Sequence, residues 1–390
     1  MPEAGLLAQG RDLDLGNPSA DLLDTIHRLT RIAAPTGNED RLTAGLAGYL
    51  RRRGLDPVVD RLGQVAVTVG QEAARGPVLM VSAHIDELGL TVTSVEAGGW
   101  LRMHRLGGVP ERVLPGTRVV VHTKGGDLPG LVGLKSHHLT PPEERYIAKP
   151  ATELYLDLGA GNREEAISLG VRVGDPVTYA PSWEVLAGGR FSAKALDDRV
   201  GVAALLVYLD RVLDDPPSGL VHVCFSAQEE FNVRGTLALA TRFRPDIAVN
   251  VDIVPATDTP DLSGQGAVRV GGGPVLSRLS FHGRGTLGGL VPHPALVGAV
   301  EEAADSAALA LQYDATVGII TDAAFLPMAT AEGIAAVAVA IPARYTHSPV
   351  ETAQLSDVEG CVDLLVQLTG LVRTADLNRG TPQIMRGGMA

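Results

Sequence analysis

Apolar and polar positions alternate with two different periods along this chain, and the change of period divides it. In "SADLLDTIHRLTRIAA" and "NEDRLTAGLAGYLRRRG", residues 19–34 and 38–54, the apolar side chains return at helical spacing, which predicts two helices. The second stops at Gly54, a residue suited to a helix end. "DPVVDRLGQVAVTVG" then reads as a hairpin, and "GPVLMVSAHIDELG" carries the unbroken apolar run of a buried strand. From about residue 90 to 191 the texture changes to many short β-type segments, "RVVVHT" and "LVGLKS" among them, split by Gly, Pro and Thr. Afterwards strand and helix patterns alternate again through "DRVGVAALLVYLDRVL", "LVHVCFSAQEE", "RGTLALATRF", "IAVNVDIV", "PALVGAVEEAADSAALA" and "AAVAVAIPA". The last helix is expected at "SDVEGCVDLLVQLTGLV", where Ser356 and Glu359 stand at capping-box spacing.

Strand–helix alternation on both sides of a break implies an α/β domain with a mainly parallel, mixed sheet flanked by helices, interrupted by a β insertion. The expected division is a loose tail at 1–18, a discontinuous domain at 19–89 and 192–376, a small β domain at 90–191, and a disordered tail at 377–390.

Composition narrows the function classes. With 390 residues and 45% hydrophobic content, the chain can bury one large core or two moderate ones. A net charge of −12 argues against a nucleic-acid partner, which would call for a basic stripe. Two cysteines, Cys224 and Cys361, are too few for a disulfide framework and are expected as small core residues in a reducing compartment. The start "MPEAGLLAQGRDLDLG" lacks the basic and apolar regions of a signal peptide, and the longest apolar run, around "IAAVAVAIPA", is too short to span a bilayer. The expectation is a soluble cytoplasmic protein with no membrane partner.

In open α/β sheets, sites form at the carboxyl ends of strands. Just after "VLMVSA" come His84 and Asp86; after "VCFSAQ" come Glu229 and Glu230; in "NVDI" stands Asp252; after "VAVAIPARYT" comes His347. The helix near "KALDDRVG" opens with Asp197 and Asp198. Each has an ordinary alternative: His84 as a satisfied polar residue near the core, the Asp pair as a helix cap, the Glu pair as surface charge. Polar groups at so many buried strand ends would be costly without a cation to share. Imidazoles and carboxylates converging on one rim, with no thiolate, make the donor set of a divalent metal site.

Five segments carry a family resemblance. "SAHIDELG", "KALDDRVG", "SAQEEFNVRG", "NVDI" and "RYTHSPVE" resemble, in order and spacing along roughly residues 20–375, the motifs of the M42 metallo-aminopeptidases. This is the group of glutamyl aminopeptidases and tetrahedral TET peptidases. Inside the insertion, "RVLPGTRVVV" and "LDLGAGNREEAISLGVRVGDPV" are similar to the family's accessory domain.

The resemblance implies a phosphorylase/hydrolase-like catalytic domain with an inserted β-barrel-like dimerisation domain. It implies two divalent cations per subunit, zinc first among them, with cobalt and manganese as alternatives. His84 and Asp252 would bind one cation, Glu230 and His347 the other, and Asp197 would bridge them. The Asp197–Asp198 peptide is expected to be cis. Asp86 would orient the His84 imidazole. Glu229 would act as general base toward the attacking water and then deliver its proton to the leaving amine.

The implied activity is removal of N-terminal residues from short peptides, by dimers that assemble further into a twelve-subunit shell. A deacylase of small metabolites on the same scaffold is the nearest alternative. A glycan hydrolase fits less well, because that chemistry uses two carboxylates flanking the bond and no metal pair, and 4% aromatic residues leave few stacking platforms. A non-catalytic assembly protein is last, since every implied ligand and Glu229 are present. Two departures from the family pattern bear on the pocket: Ile319 and Ile320 stand before "TDA" where glycines are common, and Phe231 and Asn232 follow the Glu pair. His137 and His138 suit a loop surface or an oligomer contact, and His222 a structural strand position.

Overall fold

The computed structural model describes residues 15–70, 76–283 and 288–378. Most of both expected tails lies outside them, but Leu15 is described and is fully buried in the main core, so the packed chain starts earlier than its polarity suggested.

The large sheet has nine strands among the described residues, and its four central ones are parallel neighbours: Val221–Ser226, Leu79–His84, Ile247–Pro255 and Ala335–Ala343. Their near-continuous Val, Ile and Ala content follows from burial on both faces. One face holds Val81, Val223, Val249 and Val339 against Leu22–Thr30, Leu196–Asp214, Pro294–Ser306 and Leu355–Leu371, in the main core. The other face, with Met80, Cys224, Ala248 and Ala338, packs a smaller cluster beneath the helix Gly235–Phe243. Both cysteines are free and buried, as core residues, and burial pushes their thiols up.

Local signals explain the helix ends. Asp21 caps Leu22–Thr30 by accepting the Asp24 amide at 2.9 Å, and Asp40–Arg52 closes before Gly54, whose φ of +78° is one that glycine adopts freely. The capping box expected at Ser356 and Glu359 does not form. Here the strand Glu351–Gln354 runs straight into the helix Leu355–Leu371, so Gln354 takes the cap position. Ser356 lies inside the first turn and accepts from the Gln354 side chain at 3.0 Å.

Between the central strand ending at His84 and the helix beginning at Leu196, the chain builds a closed six-stranded barrel. Its strands are Gly89–Val95, Leu101–Leu106, Arg118–Thr123, Gly126–Val132, Leu156–Asp157 and Pro176–Tyr179. Leu90, Met103, Val121, Leu156 and Val177 form a separate core within it. Arg41, on a helix of the larger unit, clamps barrel residue Asp127 through two 2.7 Å hydrogen bonds, and His122 approaches the same carboxylate at 2.8 Å. Burial would raise this carboxyl, but the histidine and arginine outweigh it and hold it well below the ordinary range. A three-stranded sheet of Trp183–Val185, Arg190–Ala193 and Glu351–Gln354 returns the chain to the main unit.

Candidate metal centre

Parallel pairing puts the carboxyl ends of the four central strands on one rim. His84 is opposite Ser226, and Asn250 is paired with Ser82, so Asp252 and His84 each stand two residues beyond that last pair, on the same face. Glu229 and Glu230 follow Val221–Ser226, and His347 follows Ala335–Ala343. Asp197 enters from the opposite side, where Asp197–Asp198 is a cis peptide, as expected, and the regular helix starts after it. Asp198 accepts the Gly201 amide at 3.0 Å, the work of a helix cap.

Asp197 is the hinge of the arrangement. Its Oδ1 lies 2.9 Å from His84 Nε2, and its Oδ2 lies 3.3 Å from His347 Nε2. Asp252 stands 3.9 Å from His84 Nε2, and Glu230 stands 3.7 Å from His347 Nε2. The donor atoms of His84, Asp197 and Asp252 all lie within 4.8 Å of one another, and so do those of Asp197, Glu230 and His347. Each imidazole also has a partner on its far nitrogen: His84 Nδ1 is 3.1 Å from the Asp86 carbonyl, and His347 Nδ1 is 3.0 Å from the Gly108 carbonyl. A carbonyl only accepts, so Nδ1 carries a proton in both rings, and Nε2 is the nitrogen turned toward the carboxylates.

The electrostatics are those of a site with too much buried negative charge. Burial, then Asp252, Glu230 and Asp322, push Glu229 well above the carboxylate range despite the pull of His84. Burial raises Glu230 to about 7, with Asp197 adding to the shift and His347 opposing it. Asp252 is driven up in the same way. Asp197, by contrast, is held down, because hydrogen bonds from His347 and His84 outweigh its burial. Oxygen and nitrogen donors, two clusters sharing one carboxylate, and a surplus of buried negative charge fit a pair of divalent cations.

Asp86 does more than its spacing implied. Its carboxylate is fully buried, 3.4 Å from His84 Nδ1, and accepts the amides of Glu229 at 2.9 Å and Glu230 at 3.1 Å, so it sets the turn that presents both glutamates.

The family model for M42 glutamyl aminopeptidase matches residues 63–364, a span that includes both donor clusters. The chain belongs to the M42 peptidase family. As such it is a hydrolase of the aminopeptidase class. It is 35% identical over 353 residues, 90% of this chain and 94% of the other, to the provisionally named aminopeptidase SgcX of Escherichia coli (strain K12). Its fold is similar to that of a TET aminopeptidase from a marine sediment Thaumarchaeota archaeon, with a TM-score of 0.84 and 31% identity over 91% of this chain and 98% of that one. It is also similar, at a TM-score of 0.77 and 30% identity over 88% and 97% of the two chains, to the Pyrococcus horikoshii TET1 peptidase, which can assemble into a tetrahedron or a large octahedral shell.

In this M42 chain a cavity of about 430 Å³ is lined by Asp197, Glu229 and Asp252 together with Ile319, Ile320 and Phe325. The departures at Ile319 and Ile320 therefore line the cavity. Asn232 reaches it too, whereas Phe231 is 40% exposed under the Arg234 guanidinium at 4.5 Å.

Sequence reasoning passed over Glu351 and Gly108, and it placed Asp322 in the family's "TDA" segment without a role. Glu351 is 2% exposed and accepts the amides of Asp197 at 3.0 Å and His347 at 2.6 Å, tying the two segments together, while burial and then Asp197 raise it to about 8. Its one sequence signal is a lone glutamate at the start of a buried strand. Asp322 accepts from the Ser226 hydroxyl, and burial lifts it to about 6. Gly108 offers only a backbone carbonyl and gives no side-chain signal at all. Three of the secondary candidates have ordinary settings: His137 and His138 lie exposed on the barrel, and His222 is buried at 2.9 Å from the Thr68 hydroxyl.

Proposed function

We propose that this chain is a metal-dependent aminopeptidase releasing N-terminal residues from short peptides, with His84, Asp197 and Asp252 holding one divalent cation and Asp197, Glu230 and His347 the other. The carrying observation is the shared Asp197 carboxylate, one oxygen toward each imidazole, at a cavity that Glu229 also lines. Cations bound there would supply Lewis-acid activation of water and of the scissile carbonyl. Zinc, cobalt and manganese all suit the donor set.

The chain's own groups divide the remaining work. Asp86 aims the two glutamates apart by holding both their amides. Glu230 faces His347, and Glu229, which lines the cavity, is the base that takes a proton from the attacking water and returns it to the leaving amine. Its elevated affinity for protons suits the second half of that cycle. The apolar walls exclude water from the bond being cut.

Homo-oligomers joined through the barrel belong to the same proposal. The barrel exposes Leu134, Leu139, Tyr146 and Ile147, with Tyr146 95% accessible, a run of apolar side chains that a partner surface would cover.

The test is a panel of aminoacyl-4-nitroanilides given to metal-stripped protein and to protein reloaded with Zn²⁺, Co²⁺ or Mn²⁺. Cleavage of unblocked substrates is expected only after reloading, and Glu229→Gln should lose about 10²–10⁴-fold in kcat while still binding cations. Turnover unaffected by stripping, or an active Glu229→Gln, would sink the proposal.

A further inference from the structure

The two imidazoles are held in place in different ways. His84 Nδ1 rests on the carbonyl of Asp86, two residues along the same segment, so its orientation is fixed locally. His347 has no such local support. It sits at φ +66°, close to Tyr345 at φ +58°, in a region disfavoured for any residue with a Cβ, and no helix or strand continues through it. Glu351 holds its amide, which fixes the backbone and leaves the ring free to turn.

The two remaining contacts come from the barrel. The Gly108 carbonyl, in the turn after Leu101–Leu106, lies 3.0 Å from His347 Nδ1. The Tyr179 hydroxyl, at the end of Pro176–Tyr179, donates to the His347 carbonyl at 3.2 Å. The approach at Gly108 is so close that a Cβ there would stand 2.8 Å from His347 Nδ1 and 2.9 Å from Cε1. The side-chain-free backbone and the imidazole therefore occupy matched positions.

We infer that the inserted barrel completes the metal centre, Gly108 and Tyr179 being positioning residues that hold His347 in its ligating pose. This rests on reading His347 as a ligand. Gly108 fixes the tautomer and plane of the ring, keeping the Nε2 lone pair turned toward Asp197 and Glu230. Tyr179 fixes the carbonyl of the same residue, so the ring and the main chain of His347 are each held from outside the catalytic sheet. The cation shared by Glu230 and His347 thus depends on the barrel being seated, and the cation shared by His84 and Asp252 does not.

The experiment is Co²⁺ titration of the metal-stripped full chain, read by visible absorption and by competition with a chelator, alongside melting of the metal-free protein. His347→Ala should weaken one of two cations, leaving the other unchanged. Gly108→Ala should weaken the same cation at least about tenfold, with an altered cobalt spectrum. The Gly108→Ala/His347→Ala double variant should be no worse than His347→Ala alone. Tyr179→Phe should weaken that cation by a smaller factor, and Lys124→Ala, on an exposed barrel turn, should bind both cations like the parent. If His347→Ala weakens one cation while Gly108→Ala and Tyr179→Phe both bind as the parent does, the role of the barrel is overturned and the ligand reading survives. Two undisturbed cations in His347→Ala would overturn the ligand reading itself. Should Gly108→Ala fail to fold, Tyr179→Phe decides alone, and parental affinity in it overturns the inference.

Discussion

At the scale of single residues, the distinction that matters is between histidines that face carboxylates and one that does not. His84 and His347 sit among acids, and in the metal-free protein burial's tendency to strip their protons is overcome, so both are held well above the ordinary imidazole range. Among the described residues, His222 meets the Thr68 hydroxyl and the Phe243 ring, 4.2 Å away, and burial lowers it from 6.5 to about 4. Its folded form is therefore neutral while the unfolded form takes up a proton first as pH falls. Stability should drop as pH falls below 6.5 and this contribution should level off near 4. Urea unfolding of the parent and of His222→Gln across that window checks it: the parent's curve should be the steeper of the two, and parallel curves would reject the assignment.

At the scale of elements, the rim is held together by a buried ionic cluster that lies below the metal donors. Glu87 accepts from Lys194 at 2.5 Å and from the Ala34 amide at 3.0 Å, and Arg199 reaches both Glu87 and the Ile85 carbonyl. All three side chains are nearly inaccessible, so they pin the end of Leu79–His84 to the start of Leu196–Asp214. Lys194→Met should leave Glu87 with Arg199 as its one cationic partner among the described residues and cost up to about 3 kcal/mol of unfolding free energy, a loss that denaturant titration reads directly. Much of this level was legible beforehand. Apolar runs that end in His, Asp or Glu announced the central strands and their rim, because burial on both faces leaves few polar residues, Ser82, His222 and Asn250 among them, before the rim is reached. The closed barrel was visible only as many short strands, since two-residue pairings such as Leu156–Asp157 leave little periodic trace. The hold on His347 was invisible for a physical reason: a backbone carbonyl and a missing Cβ make it, and neither has a residue pattern. The false capping box at Ser356 arose because spacing does not reveal that a strand runs into the helix.

At the scale of the whole molecule, the barrel faces two ways, with Gly108 and Tyr179 toward the metal centre and Leu139, Tyr146 and Ile147 toward solvent. If the outward face joins subunits, the Leu139→Asp/Ile147→Asp variant should sediment near the 40.7 kDa of one chain while the parent sediments as a multiple of it. Equal mass for both would place the contact elsewhere. The insertion also bears on the order in which the chain assembles. Leu79 pairs with Val221, whereas every barrel ladder closes between residues 89 and 179. The sheet's central pairing therefore closes a longer loop, Leu79 to Val221, than the longest barrel pairing, Leu90 to Val177, unless the barrel has already collapsed that loop into a short tether. Trp100 packs edge-on against Tyr155 at 5.1 Å on the surface of the barrel unit, and Trp183 stacks on Phe191 at 5.5 Å at the main core, so the chain's two tryptophans time the two events separately. Refolding fluorescence should report Trp100 first and Trp183 second.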